Sequence, residues 1–198
     1  MEQYSISVYT DGACKNNGKP NAVAGIGVYF GDNDPRNVSE RIAGKQTNNA
    51  AELSAIIRAL AIVRGDIEGG RPINLYTDSE YAIKCATTYG AKLKAKQWKN
   101  GKKTIPNVEL VKQLYTTVCT HSQVHLHHVR AHTGHADVHS VSNAHADWLA
   151  NEAVQGKAHM QAAEVQSPPA VGRSVVARLE EVERRLLRIE NALRAGVA

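Results

Sequence analysis

The sequence predicts an α/β protein built on a mixed β-sheet with helices on its faces. Three observations carry this reading. Strand-like segments crowd the stretch from Tyr4 to Ile42. The apolar spacing then changes from two to three and four, from Leu53 onwards. After that, short apolar runs alternate with helical stretches, the pattern of strands covered by crossover helices.

The elements follow in order. Tyr4 to Thr10 alternates polar and apolar residues as a half-buried strand does, and ends at Asp11-Gly12. A loop rich in Asn, Gly, Lys and Pro runs from Lys15 to Asn21. Ala24 to Phe30 reads as a second strand, Gly31 to Pro35 as a turn, and Val38 to Ile42 as the third strand of an antiparallel meander. Thr47 or Asn48 caps a helix beginning near Asn49, whose apolar stripe is Leu53, Ile56, Ile57, Leu60 and Val63, and Gly65 stops it. Ile73 to Thr77 is a short apolar strand ending at Asp78, and another helix starts at Ser79. The lysine-rich stretch and Val108 to Cys119 read as helical, Gln123 to Val129 as the fifth strand, and Asn143 to Val154 as the last helix. Gly134 to Ser140 reads as a flexible loop.

The chain divides into a domain over 1–157, a linker over 158–172 that contains Pro168-Pro169, and a charged amphipathic helix over 173–198. The 198 residues suit that arrangement, and 42% hydrophobic residues suffice for a packed core. A formal charge of +5 favours a polyanionic partner. Lys92, Lys94, Lys96, Lys99, Lys102 and Lys103 form a run with no acid between them. Three scattered cysteines without a C-x-x-C pair argue against a disulfide framework or a thiolate zinc site, and for a reducing compartment. The first residues lack an apolar signal region, and no stretch reaches the length of a membrane span. The expectation is a soluble, intracellular protein, cytoplasmic or associated with the nucleoid or nucleus.

Four acids stand out by position. Asp11 and Asp78 follow strands, where open α/β sheets place their functional crevice. Glu52 lies in the first turn of the first long helix, and Asp147 in the last helix. If strands one and four are neighbours, all four converge. Converging carboxylates oppose one another's ionisation unless a cation compensates them. An oxygen-only set suits Mg²⁺ or Mn²⁺. Two such ions about 3.5–4 Å apart can clamp the attacking and leaving oxygens of an in-line phosphoryl transfer.

Five blocks now bring in a family. Thr10-Asp11-Gly12, Thr47-Asn48-Asn49-Ala50-Ala51-Glu52-Leu53, Tyr76-Thr77-Asp78-Ser79, Arg130-Ala131-His132-Thr133-Gly134-His135 and Asn143-Ala144-His145-Ala146-Asp147-Trp148-Leu149-Ala150 together resemble type 1 ribonuclease H over about residues 1–157. The resemblance implies a five-stranded mixed sheet with helices on both faces. It implies an endonuclease that hydrolyses the RNA strand of RNA–DNA hybrids with two Mg²⁺ ions, Mn²⁺ being a possible substitute, and leaves 5′-phosphate and 3′-hydroxyl ends. Asp11, Glu52, Asp78 and Asp147 map onto the metal ligands, and His132 onto a mobile-loop histidine that helps proton transfer or product release.

The same resemblance assigns the hybrid contacts. Asn48 and Asn49 match residues that meet the RNA strand, where a side-chain amide can pair with a 2′-hydroxyl in either sense. Either could instead cap the helix. Asn17 matches another hybrid-contacting Asn. Lys45, Thr47 and Asn107 match a pocket for a DNA-strand phosphate, with Lys45 standing where some members carry Arg. The lysine run interrupted by Trp98 resembles a basic protrusion that tracks a backbone. This sequence keeps Trp98 where the family often has several tryptophans, and has Ala144 where the family commonly has an acid.

The tail carries its own signal. Val175, Leu179, Val182, Leu186, Ile189 and Leu193 alternate by four and three. Placing Leu179, Leu186 and Leu193 at a puts Val182 and Ile189 at d, Arg178 and Arg185 at g, and Glu183 and Glu190 at e. Leu at a with Ile or Val at d leans towards more than two strands. The expectation is a homo-oligomer, trimer or tetramer, formed through residues 173–195, which would raise hybrid affinity by avidity. A lone helix folding back on the domain is the alternative.

Overall fold

A computed structural model describes residues 4–101, 103–130 and 137–156. The elements are β1 (Ile6–Lys15), β2 (Val23–Tyr29), β3 (Val38–Arg41), α1 (Asn48–Ile62), α2 (Arg64–Glu68), β4 (Ile73–Thr77), α3 (Glu80–Ala86), α4 (Thr88–Ala95), α5 (Val108–Thr120), β5 (Val124–His128) and α6 (Val138–Gln155). The sheet order is β3-β2-β1-β4-β5. β1–β2 and β2–β3 pair antiparallel, whereas β1–β4 and β4–β5 pair parallel. The expected mixed five-stranded sheet is therefore present, with strands one and four adjacent. The expected linker and heptad helix lie outside the described residues.

The alternation of β1 sorts the two faces. Ile6 and Val8 join Ile26, Val28, Ile73 and Leu75 in the main core, together with buried residues of α1 to α5. Tyr9 faces the other way, into a smaller cluster with Tyr29, Ala146 and Leu149 under α6. Helices thus cover both faces.

Several expectations need correction. β1 does not end at Asp11-Gly12 but runs to Lys15, because β2 continues to pair with it as far as Val23 opposite Lys15. The last helix begins at Val138, not Asn143, because Asp137 caps it by accepting bonds from the His139 and Ser140 amides at 3.0 and 3.1 Å. Residues 138–140 are therefore helix rather than loop. The lysine run is helical only to Ala95, so Lys92 and Lys94 fall in α4 and Lys99 and Lys103 beyond it. Gln97 and Trp98 take left-handed φ values of 52° and 60° and reverse the chain. The reversal lays the half-buried Trp98 ring against the core, edge-on to Tyr115 at 6.0 Å. Partial burial of its large aromatic surface offsets the local strain.

Gly65 does not end helical structure, for it lies inside α2. The break falls at Val63, which closes α1 and opens α2. All three cysteines are free. No helix among the described residues is long and apolar enough to cross a membrane.

Candidate active site

The site arises from a difference in strand length. β4 stops pairing at Thr77, opposite Thr10, whereas β1 continues for five residues along β2. The flank of β1 from Asp11 to Cys14 is left without a strand neighbour on the β4 side. An open cleft of about 390 Å³ lies there, lined by Asp11, Gly12, Ala13, Cys14, Asn48, Glu52, Asp78, Asp147 and Asn151. All four sequence-predicted acids line it. They come from the middle of β1, the second turn of α1, the residue after β4, and the middle of α6.

Two glycines bring the helices close enough. Gly12 turns to the α1 face, where a Cβ would lie 2.3 Å from the Glu52 amide nitrogen. Gly27, paired with Asp11, turns to the α6 face, where a Cβ would lie 1.9 Å from the Ala146 carbonyl oxygen. Each helix therefore approaches the sheet at backbone contact distance, and each carries an acid, Glu52 or Asp147, to the same sheet end. Ser39 donates to the Leu149 carbonyl at 2.7 Å, and Arg41 to those of Ala153 and Val154, fixing α6 along the sheet.

The electrostatics record the crowding. The Asp11 carboxyl is pushed up to about 8, first by burial and then by Asp78 and Asp147, although the Gly12 amide donates to it at 2.7 Å. Burial also raises Glu52, and Asp78 adds to it, while Ser79 and Asn48 oppose the shift. Glu52 commits both oxygens: Asn48 Nδ2 donates to Oε1 at 2.7 Å, and Ser79 Oγ to Oε2 at 2.5 Å. Asn151, one turn after Asp147, donates to its carboxylate at 2.8 Å. Among the described residues no three His, Cys, Asp or Glu side chains close on a single point as ligands of one ion do. The donor set still fits hard cations: four carboxylates, half-buried or buried, crowded enough to raise the Asp11 pKa, in a cleft open to solvent.

The other sequence-predicted residues are dispersed. Asn48 lines the cleft, and its amide N–H approaches Asn17 Oδ1 at 3.4 Å. Asn49 is exposed at the start of α1. Thr47 is the N-cap, its hydroxyl accepting from the Ala50 amide, so capping falls to it rather than to Asn48. Lys45 is exposed, and Asn107 sits at the N-terminus of α5 with its amide 3.4 Å from the Tyr81 hydroxyl. Neither Lys45, Thr47, Asn107 nor Trp98 lines the acidic cleft. His132 lies outside the described residues. Sequence reasoning missed Ser79 and Asn151. Ser79 was read as a helix start and as the last residue of the Tyr76–Ser79 block, without a role at the site. The spacing of four between Asp147 and Asn151 was the available signal for the second.

The fold and cleft define a class: a mixed-sheet α/β protein with an acidic, cation-suited site where its parallel strands end. A family model, RNase H, matches residues 3–155. Ribonuclease H of Schizosaccharomyces pombe is 39% identical over 145 residues, covering 72% of this chain and 50% of that protein. Ribonuclease H of Albidiferax ferrireducens is 34% identical over 155 residues, covering 76% of this chain and 95% of that one. The chain spans about half the length of the first four curated relatives it matches. Among solved structures, LC11-RNase H1, isolated from compost by a metagenomic approach, aligns with TM-score 0.53 and 26% identity, covering 77% of this chain and 97% of that one. The same protein in complex with an RNA/DNA hybrid aligns with TM-score 0.50 and 25% identity, covering 77% and 99%. The chain belongs to the RNase H family.

Proposed function

We propose that this chain is a ribonuclease H that hydrolyses the RNA strand of RNA–DNA hybrids, leaving 5′-phosphate and 3′-hydroxyl ends. The observation that carries the reading is the convergence of Asp11, Glu52, Asp78 and Asp147 on one open cleft in a chain of this family. The complex of LC11-RNase H1 with an RNA/DNA hybrid supports the choice of substrate.

Asp11, Glu52, Asp78 and Asp147 would hold two divalent cations, Mg²⁺ with Mn²⁺ as substitute. Such ions supply charge neutralisation and an activated water for in-line attack on the phosphodiester. The chain's own contribution is placement. Asp11 is held rigidly by a strand paired on its β2 side, and the Gly12 amide orients its carboxylate. Asn151 orients Asp147. Asn48, beside Glu52 in the cleft and near Asn17, would meet a 2′-hydroxyl, together with Asn17 and Asn49. Lys45, Thr47, Asn107 and the lysines around Trp98 would hold the DNA strand, and His132 would serve proton transfer or product release. The test is a cleavage assay on a hybrid, a DNA duplex and an RNA duplex, each with Mg²⁺ and with EDTA. Hybrid cleavage that stops with EDTA is expected. Metal-independent cleavage, or equal cleavage of the DNA duplex, refutes the reading.

The heptads of residues 173–195 carry a further part of the proposal, a trimer or tetramer. Light scattering of the full chain decides it, and a mass near 21.5 kDa overturns it.

A further inference from the structure

We infer that Ser79 and Asn48 are positioning residues that clamp Glu52, so that one cation-facing carboxylate is oriented by the same side chain that reads RNA. This rests on the function proposed above.

Glu52 is held from two sides. Ser79 Oγ donates to Oε2, and Asn48 Nδ2 donates to Oε1. Charge-assisted bonds to both oxygens fix the plane of a carboxylate that would otherwise rotate on a flexible side chain. The two donors come from different parts of the fold. Asn48 is one helical turn before Glu52 on α1, whereas Ser79 follows Asp78 beyond the end of β4. Ser79 is itself fixed: it is buried, its amide donates to Thr77 Oγ1 at 3.2 Å, and its hydroxyl accepts from the Ala82 amide at 3.0 Å. Its single hydroxyl hydrogen therefore goes to Glu52 while its lone pair caps α3. One residue thereby ties Glu52, the backbone next to Asp78 and the start of α3 together.

Asn48 adds the link to substrate. Its amide has two hydrogens and a carbonyl oxygen, and only one hydrogen is used on Glu52. The remaining groups are free to meet a 2′-hydroxyl. Asn49 is exposed and has no such tie to Glu52. Outer partners of this kind, which aim a ligand without touching the ion, commonly change metal affinity about 10–100-fold when removed.

The experiment compares the full-length wild type with Ser79→Gly, Ser79→Thr, Asn48→Ala and Asn49→Ala. Mn²⁺ binding is followed by calorimetry without substrate, and hybrid cleavage as a function of Mg²⁺. Glycine is tolerated at an N-cap at a cost of only a few tenths of a kcal/mol relative to serine, so Ser79→Gly removes the donor while largely sparing α3. Ser79→Gly is expected to weaken Mn²⁺ binding about tenfold and to raise the half-saturating Mg²⁺ by a similar factor. Ser79→Thr, which keeps the hydroxyl, should return both to near wild type. Asn48→Ala should raise both the half-saturating Mg²⁺ and the hybrid KM, whereas Asn49→Ala should raise KM alone. Unchanged Mn²⁺ affinity in Ser79→Gly, with or without a lower melting temperature, overturns the clamp. So does an identical Mg²⁺ response in the two asparagine variants. A wild type that binds Mn²⁺ but cuts no hybrid refutes the proposed function instead, and the Mn²⁺ titrations still judge the clamp.

Discussion

Replacing Gly27 by alanine tests the close approach of α6 to the sheet. The added Cβ would lie 1.9 Å from the Ala146 oxygen, 2.7 Å from the Ala150 nitrogen and 2.9 Å from the Ala146 carbonyl carbon. All three are backbone atoms, so no rotamer change relieves the overlap. Real Cβ atoms essentially never come within 3.0 Å of such a neighbour, so α6 must withdraw by about 1.1 Å. Overpacking of this kind costs about 1–3 kcal/mol, and a domain of this size loses roughly 2–4 °C of melting temperature per kcal/mol. The activity should fall further than the stability. Asp147 directly follows Ala146 and moves with it away from Asp11, and a misplacement of ~1 Å at a reacting centre costs about 100-fold. Gly65→Ala is the control, because nothing lies within 4 Å of its Cβ position. Thermal melting and hybrid cleavage at saturating Mg²⁺ are measured on both variants. A Gly27→Ala protein that melts and cleaves like the control refutes the reasoning, since α6 would then not depend on the glycine for its distance from β1.

Asp11→Asn should abolish hybrid cleavage, by more than about 100-fold, yet raise the melting temperature of the metal-free protein, because it removes a buried carboxylate crowded by Asp78 and Asp147. Hybrid binding should survive, as a gel-shift assay would read. His127 is held below the ordinary histidine pKa, first by burial and then by His125 and His139. The unfolded chain therefore takes up this proton first as the pH falls, and His127 contributes stability above about pH 6.5 that is lost below it. His127→Gln should flatten the decline of the urea midpoint between pH 7 and pH 5, and an unaltered slope would remove His127 as its cause. Arg41→Ala loses the bonds to the Ala153 and Val154 carbonyls and should cost about 1 kcal/mol, seen as a lower melting temperature with cleavage changed far less than in Gly27→Ala.

Part of the site was legible because two of its acids follow a local signal. Asp78 closes an apolar strand, and Glu52 follows a cap and opens an apolar stripe. The five strands and their order along the chain were legible for the same reason: pleat and helix periods are local properties of side-chain burial. Boundaries failed where a distant partner decided them. β1 outlasts its apolar alternation because β2 keeps pairing with it, and helix α4 ends early because the Trp98 ring packs on Tyr115, 17 residues further on. The start of α6 was missed because the Asp137 cap sat in a stretch whose histidines and serine show no helical stripe.

The sequence by itself determined the candidate groups and the elements that present each: four carboxylates, and two asparagines beside one of them. Only the tertiary structure decided how they meet. It extended β1 past Asp11 to Lys15, put Gly27 opposite Asp11 so that α6 could bring Asp147 in, and ended β4 at Thr77 so that a cleft opened beside β1. It also gave Ser79 its bond to Glu52, 27 positions away. Register and strand length depend on pairings between segments far apart in the chain, and no local period encodes them.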